Sequence, residues 1–90
     1  MKSFLIHYEG RIQGVGFRYT VKNLAREFEV SGSVKNLPDG RVELIACGED
    51  GEVSGFLEAI RTSDLAGHIS LETKQAITRP QGLRGFQILS

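Results

Sequence analysis

The ninety-residue chain has one cysteine, Cys47, and no tryptophan. A lone thiol cannot close an internal disulfide, so the fold needs no oxidising compartment and a cytoplasmic setting is expected. Charge of one sign is also missing: eleven Lys and Arg face eleven Asp and Glu. That balance gives no support for a chain that coats nucleic acid or an anionic membrane. Long apolar runs are absent too. The N-terminal Phe4-Leu5-Ile6 is too short for a signal peptide, and no stretch approaches transmembrane length. His7 and His68 are far apart and have no Cys or carboxylate at ligand spacing, so no metal site is expected. There is no G-x-S-x-G elbow, no Walker loop and no Cys-x-x-Cys pair. What remains is an ordinary globular composition, 40% hydrophobic and 24% charged. One domain is expected over residues 1–90, burying somewhat over ~60% of its unfolded surface.

Hydrophobic periodicity organises the chain. Residues 3–9 alternate, with Phe4, Ile6 and Tyr8 on one face and Leu5 and His7 on the other, which predicts a strand. Phe17, Val21, Leu24, Ala25 and Phe28 recur at helical spacing, predicting a helix from Phe17 to near Glu29, with Val30-Ser31-Gly32 as its break. Residues 33–37 and 41–47 read as a hairpin around Leu37-Pro38-Asp39-Gly40-Arg41, where Pro, Asp and Gly each suit their turn positions. The second of these strands becomes apolar on both faces, as a central strand would. Val53, Phe56, Leu57 and Ile60 mark a second helix. Residues 68–77 have strand character with Ile69, Leu71 and Thr73 on one side, and Phe86-Gln87-Ile88-Leu89 predicts a short edge strand. The order β-α-β-β-α-β predicts an α+β fold: a ferredoxin-like α/β sandwich, an antiparallel sheet with two helices on one face. That fold does not choose a function.

Chemistry concentrates at Gly14-Val15-Gly16-Phe17-Arg18, between the first strand and the first helix. Two glycines one residue apart let consecutive N–H groups turn to one side. A concave run of donors ahead of a helix N-terminus is an anion site. Arg18 adds a planar fork that fits two phosphate oxygens at once. The bland alternative is a plain turn followed by a surface Arg, but a cation there opposes the helix dipole. Asn36 lies just before the Pro-Asp-Gly turn. Turn chemistry alone explains many such residues, whereas a carboxamide that donates and accepts can also hold a water or a substrate oxygen. Cys47, in an apolar strand, reads as packing rather than as a nucleophile. Asp64 and Glu72 near His68 read as a solvated surface, and Glu49, Asp50 and Glu52 as complements to the second helix dipole.

Two stretches carry a family resemblance. Gly10-Arg11-Ile12-Gln13-Gly14-Val15-Gly16-Phe17-Arg18 resembles the first signature of the acylphosphatases. Gly32-Ser33-Val34-Lys35-Asn36-Leu37-Pro38-Asp39-Gly40-Arg41-Val42-Glu43, continuing to Gly48, resembles the second. Ile12 replaces the commoner Val, Ser33 stands where the family usually has an aromatic packing residue, and residues 62–85 carry no matching motif. The resemblance implies hydrolysis of the carboxyl–phosphate anhydride of a small acyl phosphate to a carboxylate and inorganic phosphate. It implies that Arg18 binds phosphate, that Asn36 positions the water, and that the backbone of Gln13, Gly14, Val15, Gly16 and Phe17 forms the substrate-binding cradle. It further implies no metal and no covalent intermediate. No cofactor is expected, a monomer is expected, and the charge balance predicts neither nucleic-acid nor membrane partners. Two non-catalytic readings share the fold. An RNA-binding module would need stacking aromatics on the central strands, and the third strand has none. A small-ligand regulatory domain would bind without turnover.

Overall fold

The computed structural model of the chain describes residues 1–89. The elements are β1 (Lys2–Gly10), α1 (Phe17–Ala25), β2 (Val30–Asn36), β3 (Val42–Gly48), α2 (Asp50–Arg61), β4 (Ile69–Ala76) and β5 (Phe86–Ile88), with a 3₁₀ turn at Ala66–His68 before β4. The strands form one sheet in the order β4-β1-β3-β2-β5. The expected α+β sandwich is present. Ile6 and Tyr8 of β1, Val34 of β2 and Val42, Leu44 and Ala46 of β3 pack with the apolar faces of both helices in a single core. Phe17, Val21 and Ala25 come from α1, and Val53, Phe56, Leu57 and Ile60 from α2. Tyr8 is fully buried, and its hydroxyl has no hydrogen-bond partner among the described residues. Burial pushes its pKa far above the ordinary value, so Tyr8 packs as a neutral aromatic.

β3 pairs antiparallel with both β1 and β2, as its two apolar faces predict. The sheet is not wholly antiparallel, however. β5 pairs parallel with β2, through Gly32↔Phe86, Ser33↔Gln87 and Val34↔Ile88. The reason is directional. β4 runs antiparallel to β1 at the far edge, so the chain leaves β4 at the end of the sheet where β1 and β2 begin. A strand that re-enters from there beside β2 must run with it.

Three further expectations are corrected. The first helix stops at Ala25 rather than near Glu29. Residues 26–28 instead continue in tight i→i−3 hydrogen bonds, Arg26 N–H to Asn23 O, Glu27 N–H to Leu24 O and Phe28 N–H to Ala25 O. The apolar period still reached Phe28 because its ring packs on Phe56, with centroids 6.1 Å apart. Val30-Ser31-Gly32 does end the helical pattern, but it already belongs to β2, which starts at Val30 rather than at residue 33, in register with Gly48, Cys47 and Ala46. In β4, Ile69 does not share a side with Leu71 and Thr73. A register shift opposite Glu9 and Gly10 turns Ile69 onto the core, while Leu71 stays exposed.

Cys47 is buried and lies opposite Ser3 in the β1–β3 register. Seven residues of β1, about 23 Å of strand, separate that row from Gly10. Cys47→Ala is therefore expected to cost at most about 1 kcal/mol, a small core truncation, and to leave turnover unchanged. Thiol alkylation of the folded protein checks the point: rapid labelling with stoichiometric loss of activity would return Cys47 to the list of nucleophiles.

Candidate active site

The loop after β1 is shaped by its glycines. Gly14 and Gly16 have φ of 86° and 75°, in the left-handed region. A Cβ at either would meet no atom within 4 Å, so backbone conformation, not crowding, requires glycine there. Gly16 is also the N-cap of α1, and no side chain caps that end. The first helical bond runs from Thr20 N–H to Gly16 O at 3.0 Å. The N–H groups of residues 17–19 precede it and have no carbonyl one turn back. α2 offers the contrast: Asp50 and Glu52 occupy its first turn, whereas the first turn of α1 has no acidic residue and carries Arg18. The α1 N-terminus is thus left electropositive.

Sheet order brings Asn36 to this loop. β1 and β2 both run antiparallel to β3, so their C-terminal ends lie at the same end of the sheet, two strand spacings or about 9.5 Å apart. Tyr8, Val42 and Asn36 form one cross-strand row. Phe17 packs its ring on Tyr8, with centroids 5.2 Å apart, which seats the start of α1 over that row. The result is a cavity of about 200 Å³ lined by Ile12, Gln13, Gly14, Gly16, Phe17, Arg18, Tyr19 and Asn36. Every residue singled out from the sequence for this site borders it except Val15, whose side chain is exposed on the loop.

Arg18 is half-buried, and its Nη1 donates to the carbonyl oxygen of Leu89 at 3.1 Å. Leu89 is in turn held by its N–H on Val34 O at 2.9 Å. Because β5 runs parallel to β2, it carries Leu89 to the cavity end of the sheet and gives the Arg18 guanidinium a fixed anchor. Among the described residues one of its five N–H donors makes this bond. Nothing in the sequence pointed to Leu89, since the contact spans 71 residues. Ile12 and Tyr19 were likewise not foreseen as lining residues. Ile12 is fully buried, and its burial beside two exposed glycines has no periodic signal.

The hairpin turn explains what Asn36 does not do. Asp39 holds the turn: its Oδ1 accepts from the Arg41 N–H at 3.0 Å and its Oδ2 from Arg41 Nε at 2.8 Å. Those two bonds, the backbone one first, hold the Asp39 carboxyl below its usual pKa range. Among the described residues the Asn36 side chain makes no hydrogen bond within the turn. The Gln13 amide, expected only to lend its backbone, instead bonds across to this hairpin, its Nε2 donating to Leu37 O at 3.0 Å and to Arg41 O at 3.2 Å.

The other titratable groups lie elsewhere. Glu72 pairs with Arg61 at 2.7 Å rather than with His68. His7 meets Glu43 at 3.1 Å on the sheet face away from the helices, where Lys35 also reaches Glu43 at 3.5 Å. Glu52 accepts the Glu29 N–H at 2.7 Å, tying α2 to the turn after α1. No group of three His, Cys, Asp or Glu residues able to hold a metal occurs among the described residues.

Comparison with known proteins places the chain in a family. The acylphosphatase family model matches residues 4–88, which extends past Ile60 through the part that carried no recognisable motif. A protein named acylphosphatase from Archaeoglobus fulgidus is 46% identical over 72 residues, 79% of this chain and 81% of its own. One of the same name from Lactobacillus gasseri is 40% identical over 90 residues, 99% of each chain. The crystal structure of acylphosphatase from Bacillus subtilis superimposes with a TM-score of 0.89 at 33% identity, over the whole of both chains. With a family model matched over residues 4–88 and relatives 40–46% identical, the chain belongs to the acylphosphatase family of enzymes.

Proposed function

We propose that the cavity hydrolyses the carboxyl–phosphate anhydride of acyl phosphates, with Arg18 and the N–H groups of residues 13–17 holding the phosphoryl group and Asn36 positioning the attacking water. The observation that carries this reading is the shared cavity: Asn36 of β2 borders the same space as Gln13, Gly14, Gly16, Phe17 and Arg18. A mixed anhydride is already activated, and its carboxylate leaving group is weakly basic. Charge neutralisation and an aligned water then suffice. The donors fit that need. Backbone N–H groups and a guanidinium face developing charge on phosphoryl oxygens, and a carboxamide can accept a water O–H while donating to another oxygen. No lining residue is a carboxylate or a histidine, so in this reading the substrate phosphate itself receives the water proton.

The same inventory supports a metal-independent enzyme, because none of the lining side chains is a good ligand for Mg²⁺ or Zn²⁺. Phosphate release from an acyl phosphate by the purified protein is expected to survive excess chelator unchanged. Activity that dies in chelator and returns with Mg²⁺ or Zn²⁺ would overturn the mechanism. The RNA-binding alternative loses support from the open sheet face. There the central strands present Leu5, His7, Glu43 and Ile45, while Phe4 and Tyr8 turn toward the helices. A small-ligand regulatory domain is separated by the same phosphate-release assay. The reading also takes the enzyme as a cytoplasmic monomer, in keeping with its single buried cysteine; no helix among the described residues is long and apolar enough to cross a membrane.

A further inference from the structure

We propose that the Gln13 side chain is a strut that sets the distance between the anion cradle and Asn36, and so acts as a positioning residue for the hydrolytic reading above, on which the proposal rests. The cradle loop and the β2–β3 hairpin are separate surface segments, 24 residues apart between Gln13 and Leu37. Gln13 Nε2 joins them, donating to Leu37 O at 3.0 Å and to Arg41 O at 3.2 Å.

The two acceptors are the carbonyls at the neck of the turn. Arg41 O also accepts the Leu37 N–H at 2.8 Å, and Leu37 O accepts the Gly40 N–H at 3.1 Å, so the turn bonds them in place. An amide nitrogen that donates to two carbonyls held by the turn is restricted in orientation. Gln13 is therefore pinned relative to Leu37, whose neighbour in the chain is Asn36. On its other side Gln13 adjoins Gly14, one of the two left-handed glycines of the cradle. A glycine there gives the loop its shape but no side chain to hold it. Both Gln13 and Asn36 border the cavity. The strut thus bridges the group that binds phosphate and the group that aims water, and an error of ~1 Å in that separation can cost on the order of 10²-fold in rate.

The test uses Gln13→Met, which keeps length and apolar stem but removes both donors. It is made in the parent and in Asn36→Ala, and kcat, KM, the inhibition constant for inorganic phosphate and the melting temperature are measured. In the parent background the substitution is expected to lower kcat by ~10-fold or more and to leave phosphate inhibition nearly unchanged. In the Asn36→Ala background it is expected to change kcat by less than ~2-fold, because residues acting as one unit are not additive. Equal losses in both backgrounds would overturn the proposal, as would a lowered melting temperature with kcat intact. A second readout stands apart from turnover. Titration of ¹⁵N-labelled protein with inorganic phosphate should shift the Asn36 amide resonances in the parent and shift them much less in Gln13→Met, while the Gly14 and Gly16 amides respond in both. The same Asn36 response in both proteins would refute the strut. A parent without acyl phosphate turnover would overturn the hydrolytic reading instead, and the strut would still be decided by these resonances.

Discussion

Arg18→Lys is expected to lose on the order of 10²-fold or more in phosphate release from an acyl phosphate, nearly as much as Arg18→Ala, the scale for one preorganised donor to developing charge. Lysine keeps the positive charge but not the fork. In the structure Arg18 Nη1 is tied to Leu89 O at 3.1 Å; in the proposed reading the other N–H groups of the fork span two phosphoryl oxygens. An ammonium can move to the Leu89 carbonyl or to the anion, but its single nitrogen cannot hold both in a fixed geometry. Fold and charge are retained, so the melting temperature of the Lys variant should stay near that of the parent. Near-normal turnover in that variant would show that a point charge is enough and that the anchored fork has no role.

Asn36→Ala is expected to separate binding from chemistry. In the proposed reading Arg18 and the cradle N–H groups hold phosphate in the ground and transition states alike, whereas the water position matters only on the way to the transition state. Removing a contact made there lowers kcat and spares ground-state binding. The variant should therefore fold, bind inorganic phosphate about as well as the parent, and turn over at least ~10²-fold more slowly. A purely local role predicts the reverse, a stability loss of about 1 kcal/mol for a lost hydrogen bond with kcat intact. The hairpin geometry already bears on this choice, because Asp39 rather than Asn36 bonds the turn. Measuring kcat, the phosphate inhibition constant and the melting temperature on one preparation decides it. An unchanged kcat with a lowered melting temperature would end the water-positioning role.

Local chemistry made much of this protein legible in advance. Alternation in residues 3–9 placed Ile6 and Tyr8 in the core, because strand side chains must alternate between faces. Pro38-Asp39-Gly40 marked the hairpin because each residue suits its own turn position. Gly14 and Gly16 marked a left-handed loop at the start of α1 because only glycine adopts that backbone freely. In each case the cause and its effect lie within a few residues of one another, and periodicity or turn composition records them.

Tertiary structure decided what depends on chain direction and on distant partners. The parallel entry of β5 beside β2 follows from which end of the sheet β4 leaves, a fact with no local trace. That entry carries Leu89 to Arg18. The insertion of β3 between β1 and β2 puts Asn36 on the row beneath the start of α1, although 18 positions of sequence separate it from Arg18. The Gln13 amide found two carbonyls on another hairpin, and an amide reads the same in sequence whether it meets water or a turn. The residue types that line the cavity were set by the sequence alone. Their separation, anchoring and orientation came from packing, because those are properties of three-dimensional neighbours and no spacing along the chain encodes them.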